Sequence, residues 1–323
     1  MNWKAALVGL FGGVSVVGAQ DSHFDGFKWR EKETDHFLIR AHGTSHDPAS
    51  KLAEKIWTVC VDALPGLTPD FEKNEFETPS GSKGAKEAPF RFCIYLVDSG
   101  ADFRELVKID AGRNGWDANS VRLTHQVGNY VDPNARYTVY CKGDPMQSAG
   151  GDRDVSAIVA HSTGSSLLRG RARSAKIPFW MQAGFGYYVE HMIFDLCRVH
   201  YLDFEAYYEA QKAEIKKGET LGADEDWPSV LRKMCKDENR CSLGDVLTAQ
   251  ILTLSPKESG YIFALTYFLV RDDAAKAKYQ KLVAMLRDGD TVNEASLLET
   301  YGYADAAALE AEWYEWMESR AFK

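Results

Sequence analysis

The chain has 323 residues, 45% of them hydrophobic, 12% aromatic and 26% charged, a composition that excludes disordered, collagenous and fibrous proteins. Lys and Arg number 38 against 47 Asp and Glu, a formal charge of −9, so no nucleic-acid partner is expected of a chain that repels phosphate in bulk. No internal apolar run reaches about 18 residues, and a multi-span membrane protein is excluded with it.

In chain order, Met1 to Lys4 is a short basic start and Ala5 to Val17 is apolar or small. Val17-Gly18-Ala19 then supplies the small residues of a signal-peptidase cut. Residues 1–19 are therefore expected to be a cleaved secretory signal, which implies a secreted or periplasmic protein without a stable membrane span. The remainder divides into an N-terminal α+β sheet subdomain, 20–150, and a helical subdomain, 151–323.

Residues 36–41 read as a strand. A helix over 47–64 is opened by Asp47 as cap and Pro48 in the first turn. The Gly/Ser/Pro-rich stretch 78–89 reads as a surface loop. A strand is predicted over 91–97, a helix capped by Ser99 runs to Ile109, and two more strands lie near 119–127 and 136–141. From Asp152 onward the pattern is helical, with breaks near 170–177, 218–228, 237–241 and 255. The fold class is thus α+β: a mixed sheet with helices, followed by a mainly helical half. Leu309, Trp313, Trp316 and Met317 recur at helical spacing and read as core packing.

The chain has six cysteines: Cys60, Cys93, Cys141, Cys197, Cys235 and Cys241. Export would allow disulfides, and Cys235 with Cys241, flanking a polar loop, is the favoured pair. The other four fall on predicted strands and helices and read as buried thiols. No C-x-x-C occurs, so neither a thiol-redox motif nor a zinc knuckle is supported.

Chemistry concentrates at the centre of the chain. One predicted helix, 152–168, carries His161, Ser162, Gly164 and Ser165. A second, opened by Pro178, carries Trp180, Ala183, Gly184, Gly186, Glu190 and His191. This arrangement resembles the gluzincin (peptidase-MA-like) metallopeptidase superfamily in its secreted bacterial form. That family places H-E-x-x-H on one helix and a pattern like P-x-W-L-x-E-G-x-A-x-Y-x-E on the next. Phe27 to Trp29, Phe37 to Arg40, Phe92 to Val97 with Asp102-Phe103 and Gly115, Ser259 to Leu269, and Gly289 through Trp313 extend the likeness over most of residues 27–320.

The resemblance implies a zincin-like fold, one continuous peptidase-like unit, and a zinc cofactor. In such a site two histidines at i and i+4 bind the metal, the intervening glutamate activates its water, and a second-helix glutamate is the third ligand. Here the base position falls on Ser162, the second histidine on Ser165 and the third ligand on Ala183. His161 alone survives. One imidazole cannot hold zinc in a three-ligand catalytic site, so neither zinc nor any other cofactor is expected. Glu190, about 10 Å further along its helix than Ala183 at 1.5 Å per residue, does not replace the lost ligand.

The sequence therefore reads as a non-catalytic pseudopeptidase acting as a binding or scaffold module. The alternative is an active hydrolase on the same fold, with relocated zinc ligands or with Ser165 paired to His161 at i, i+4. Gly164, Ser165, Ala183, Gly184 and Gly186 are expected to face one another across the two helices and close the vacated site. Arg169, Arg171, Arg173 and Lys176 are expected in the loop between these helices, as a basic surface for an unknown protein, peptide or anionic ligand. His42 and His46, four apart, read as a solvated turn.

Overall fold

A computed structural model describes residues 24, 26–65, 91–132, 137–148, 150–151, 154–172, 176–199, 221–222, 224–238, 240–251 and 254–323. The expected signal segment 1–19, the loop 78–89 and Arg173 lie outside these residues. The chain forms two compact units, one of Met1–Trp57 with Pro69–Ser162 and one of Thr58–Thr68 with Thr163–Lys323. The division falls after Ser162 rather than near residue 150. The fold class is α+β, with a five-stranded mixed sheet in the N-terminal half and eleven helices among the described residues.

The first unit is built on strands β1 (Arg30–Glu33), β2 (Phe37–His42), β3 (Phe92–Val97), β4 (Asn129–Val131) and β5 (Tyr137–Cys141) in the order β1-β2-β3-β5-β4. β2, β3 and β5 are parallel neighbours, and β1 and β4 close the two edges antiparallel. β3 is buried at all six positions, as a central strand covered on both faces requires. β2 alternates, burying Phe37, Ile39 and Ala41. β1 is exposed at every position, and its four charged residues protect a sheet edge from adding further strands.

Helix α1 (Asp47–Ala63) follows β2, and α2 (Gly100–Asn114) follows β3. Ser99 caps α2 by accepting from the Asp102 N–H, and Gly115 ends it in the left-handed region. Residues 119–127, expected as a strand, form helix α3 (Ala118–Val127) instead. The reason is local: the Asp117 carboxylate accepts from the N–H groups of Asn119 and Ser120, and Gly128 at φ 76° supplies the left-handed stop. These caps outweigh the alternation of Val121, Leu123 and Val127.

Val97, Phe103, Leu106, Tyr130, Tyr137 and Val139 belong to one apolar cluster of this unit. Within the unit, Asp110 on α2 is fully buried. It accepts hydrogen bonds from the hydroxyls of Tyr130 (2.6 Å) and Tyr137 (2.9 Å). Burial first, and then the Asp110 charge, hold the Tyr130 phenol well above its ordinary pKa.

The second unit is helical. After α4 (Ser156–Ala172) come α5 (Phe179–Phe194), α6 (Trp227–Met234), α7 (Leu243–Thr248), α8 (Pro256–Leu269), α9 (Asp273–Arg287), α10 (Glu294–Tyr301) and α11 (Ala306–Glu318). Capping boxes at Ser242 and Ser255 start α7 and α8. α5 and α8 are packed against each other more extensively than any other helix pair. Leu309, Trp313 and Met317 of α11 are buried and Trp316 is partly buried, its ring meeting Tyr267 edge-on and Phe268 and Phe322 at a tilt. No described helix is long and apolar enough to cross a membrane.

All six cysteines are buried, unbonded thiols, Cys235 and Cys241 among them. Cys235 ends α6, where its Sγ donates to the Arg232 carbonyl at 3.3 Å. Burial pushes the Cys60 and Cys93 thiols up to about 11 and the Cys241 thiol up to about 12. A pKa raised in the folded state gives stability that is complete below the unfolded value, about 8.5 for Cys, and is lost as pH rises through the folded value. The thermal midpoint is therefore expected to hold up to about pH 8 and to fall between about pH 8.5 and 11. A scan of midpoint against pH checks this, and a flat curve through that window contradicts buried neutral thiols.

Candidate functional site

α4 carries the first three positions at which the sequence resembles the gluzincin motif. It starts at Ser156, after the non-helical Asp154 and Val155, and His161 (2% exposed) and Ser165 (4% exposed) are both buried on it. α5 carries the remaining position. It is apolar nearly all round, and Trp180, Met181 and Ala183 through His191 are all buried, as befits a helix with neighbours on every side.

Where the family has its second histidine, the Ser165 hydroxyl donates to the Gln182 carbonyl at 2.9 Å. Where the family has its third ligand, Ala183 is fully buried and offers only a methyl group. Gly164 lies against α5 so closely that a Cβ there would meet the Val189 side chain at 2.9 Å. Small residues thus bring these helices together at Gly164 and Ser165, as expected. Gly184 differs from the expectation, because it faces α8. A Cβ on it would meet Thr266 Oγ1 at 2.1 Å and the Ile262 carbonyl at 2.9 Å. With successive residues about 100° apart on a helix, Ala183 and Gly184 present to different neighbours.

Glu190 has a different task from metal binding. Its buried carboxylate accepts from the main-chain N–H groups of Arg198 and Val199 and so holds the segment that follows α5. His191 points elsewhere, with Nε2 at 2.8 Å from the Lys323 main-chain oxygen. Burial lowers the His191 pKa, against the pull of Lys323, Asp195 and Asp226.

The basic cluster requires a correction. α4 continues to Ala172, so Arg169 and Arg171 are helical rather than in a loop, and they are 7% and 3% exposed. Two helical positions two apart lie about 200° from each other, so their joint burial means that this end of α4 is covered on opposite sides. Arg171 Nη1 donates to the Leu167 carbonyl at 3.1 Å. Burial lowers the Arg171 pKa, with the neighbouring Cys60 thiol opposing. Lys176 is exposed. Arg169 and Arg171 are therefore not part of a solvent-facing basic loop.

His42 ends β2, where Nδ1 accepts from the Lys28 N–H at 3.0 Å and the ring lies edge-on to Phe27. His46 Nδ1 lies 3.4 Å from Asp47. Among the described residues, no three His, Cys, Asp or Glu side chains converge where they could hold a metal ion. The donors at the motif positions, two hydroxyls and one imidazole, do not fit a catalytic zinc ion.

Compared with protein-family models and with curated proteins, the chain matches none.

Proposed function

We propose that this chain is a secreted, non-catalytic protein on a peptidase-like, zincin-type scaffold, a pseudopeptidase serving as a binding or scaffold module. The observation that carries the reading is the tie of Ser165 Oγ to the Gln182 carbonyl beside a fully buried Ala183. A metal-activated water needs ligands and space at these positions, and they are given to helix packing instead.

A serine-based hydrolase is less well supported. Its nucleophile would have to give its proton to a base, whereas the Ser165 hydroxyl donates to a main-chain carbonyl. The test is incubation of the pure protein with an unfolded protein substrate, with and without a zinc chelator. No cleavage is expected in either arm, and chelator-sensitive cleavage contradicts the proposal.

A further inference from the structure

The helical unit contains a cavity of about 490 Å³ at the C-terminal end of α5, and none of the motif positions lines it. Asp195 and Asp226 supply two carboxylates to its lining, Arg232 and Lys323 supply two cations, and Met192 and Tyr267 supply apolar surface. The volume lies in the ordinary range for small-molecule pockets, about 300–1,000 Å³.

Asp195, Asp226 and Lys323 are solvent-exposed and Arg232 is partly buried. No ion pair joins them to one another or to any other described residue. Elsewhere in the same unit cations do find carboxylates: Arg271 meets Glu312 at 2.6 Å and Lys276 meets Asp62 at 2.6 Å. Arg232 instead donates one Nη to the Phe322 carbonyl, and its buried Nε has no hydrogen-bond partner. Asp226 uses its carboxylate as the cap of α6, accepting from Ser229. Asp195 occupies a left-handed conformation at φ 57°, the only non-glycine residue described with a positive φ. That backbone geometry costs energy for most residues and is tolerated by Asp and Asn. It sets the Asp195 side chain at the end of α5, in the cavity lining.

Two unpaired charges of each sign around one partly apolar cavity are complementary to a small molecule that carries both signs. We propose that this cavity binds a free α-amino acid, its ammonium facing Asp195 and Asp226 and its carboxylate facing Arg232 and Lys323. The side chain of the ligand lies against Met192 and Tyr267. This site uses none of the motif residues and stands whether or not the protein is a pseudopeptidase.

The test uses the intact protein in metal-free buffer and the full set of free L-amino acids as probes, first by thermal shift and then by calorimetric titration of the best binder. Blocking either charged end, as the N-acetyl derivative or the amide, is expected to weaken binding by about tenfold or more, as loss of a hydrogen bond to a charged group does. Asp195→Asn removes one carboxylate while keeping a residue that accepts the left-handed backbone. It is expected to weaken the free amino acid by about tenfold and to leave the N-acetyl form unchanged. Absence of any binder up to about 10 mM, or a binder indifferent to both blocked ends and to Asp195→Asn, overturns the proposal.

Discussion

Gly184→Ala is expected to destabilise the protein by about 3 kcal/mol, the upper part of the range for overpacking a filled core. Helix propensity alone predicts the opposite sign, since alanine is favoured over glycine in a helix interior by about 1 kcal/mol. The clash decides. The new methyl group would sit 2.1 Å from Thr266 Oγ1, 3.0 Å from Thr266 Cβ and 2.9 Å from the Ile262 carbonyl. A β-branched side chain and a helix backbone have little room to yield. Thr266→Ala in the same chain removes the nearest atom and should restore part of the loss. Gly112→Ala is the control, because that glycine on α2 has nothing within 4 Å of a new Cβ. It is expected to stabilise by about 0.5–1 kcal/mol. Urea unfolding of the variants checks both signs, and a Gly184→Ala protein as stable as the parent would contradict the close packing of α5 on α8.

Replacing Asp110 by Ala should cost about 2–4 kcal/mol, because two buried phenol groups lose their acceptor at once. The carboxylate is fully buried and receives Tyr130 at 2.6 Å and Tyr137 at 2.9 Å. Leaving both donors unsatisfied in the core carries their whole desolvation cost. Tyr137→Phe alone should cost less, about 1–2 kcal/mol. Joint replacement, Asp110→Leu with Tyr130→Phe and Tyr137→Phe, removes donors and acceptor together and should recover part of the loss. Denaturant midpoints of the series decide it. An Asp110→Ala chain within about 0.5 kcal/mol of the parent would show that these bonds are not made in solution.

How much of this could be read in the sequence depended on whether the cause was local. β2, β3 and β5 were legible from alternating or continuous apolar runs, because the buried faces of a sheet impose that pattern. β1 was not, since Arg30–Glu33 carries no apolar residue and is a strand only because it pairs with β2. α3 was misread because its odd-numbered apolar residues imitate a strand, while the caps that determine it are single residues at its ends.

The helix pair of the candidate site was legible from Pro178, the small residues and the aromatic run. The direction in which each small residue faces was not, and Gly184 turned out to lie on α8. Burial of Arg169 and Arg171 was equally hidden, because charge normally signals solvent and only the tertiary surroundings override it. The cavity at the end of α5 gave no sequence signal at all: its charges come from residues 195, 226, 232 and 323, which share no spacing. Asp195 is the nearest to a sign, as a residue tolerant of left-handed backbone just beyond a long apolar helix.

Metal content tests the central claim most directly. The protein, purified without chelator and dialysed against trace zinc, is measured by elemental analysis beside a His161→Ala variant. The reading of Ser165 and Ala183 as packing residues predicts no bound zinc in either protein. Near-stoichiometric zinc in the parent, lost with His161, would contradict it and show that ligands outside the motif positions complete a metal site.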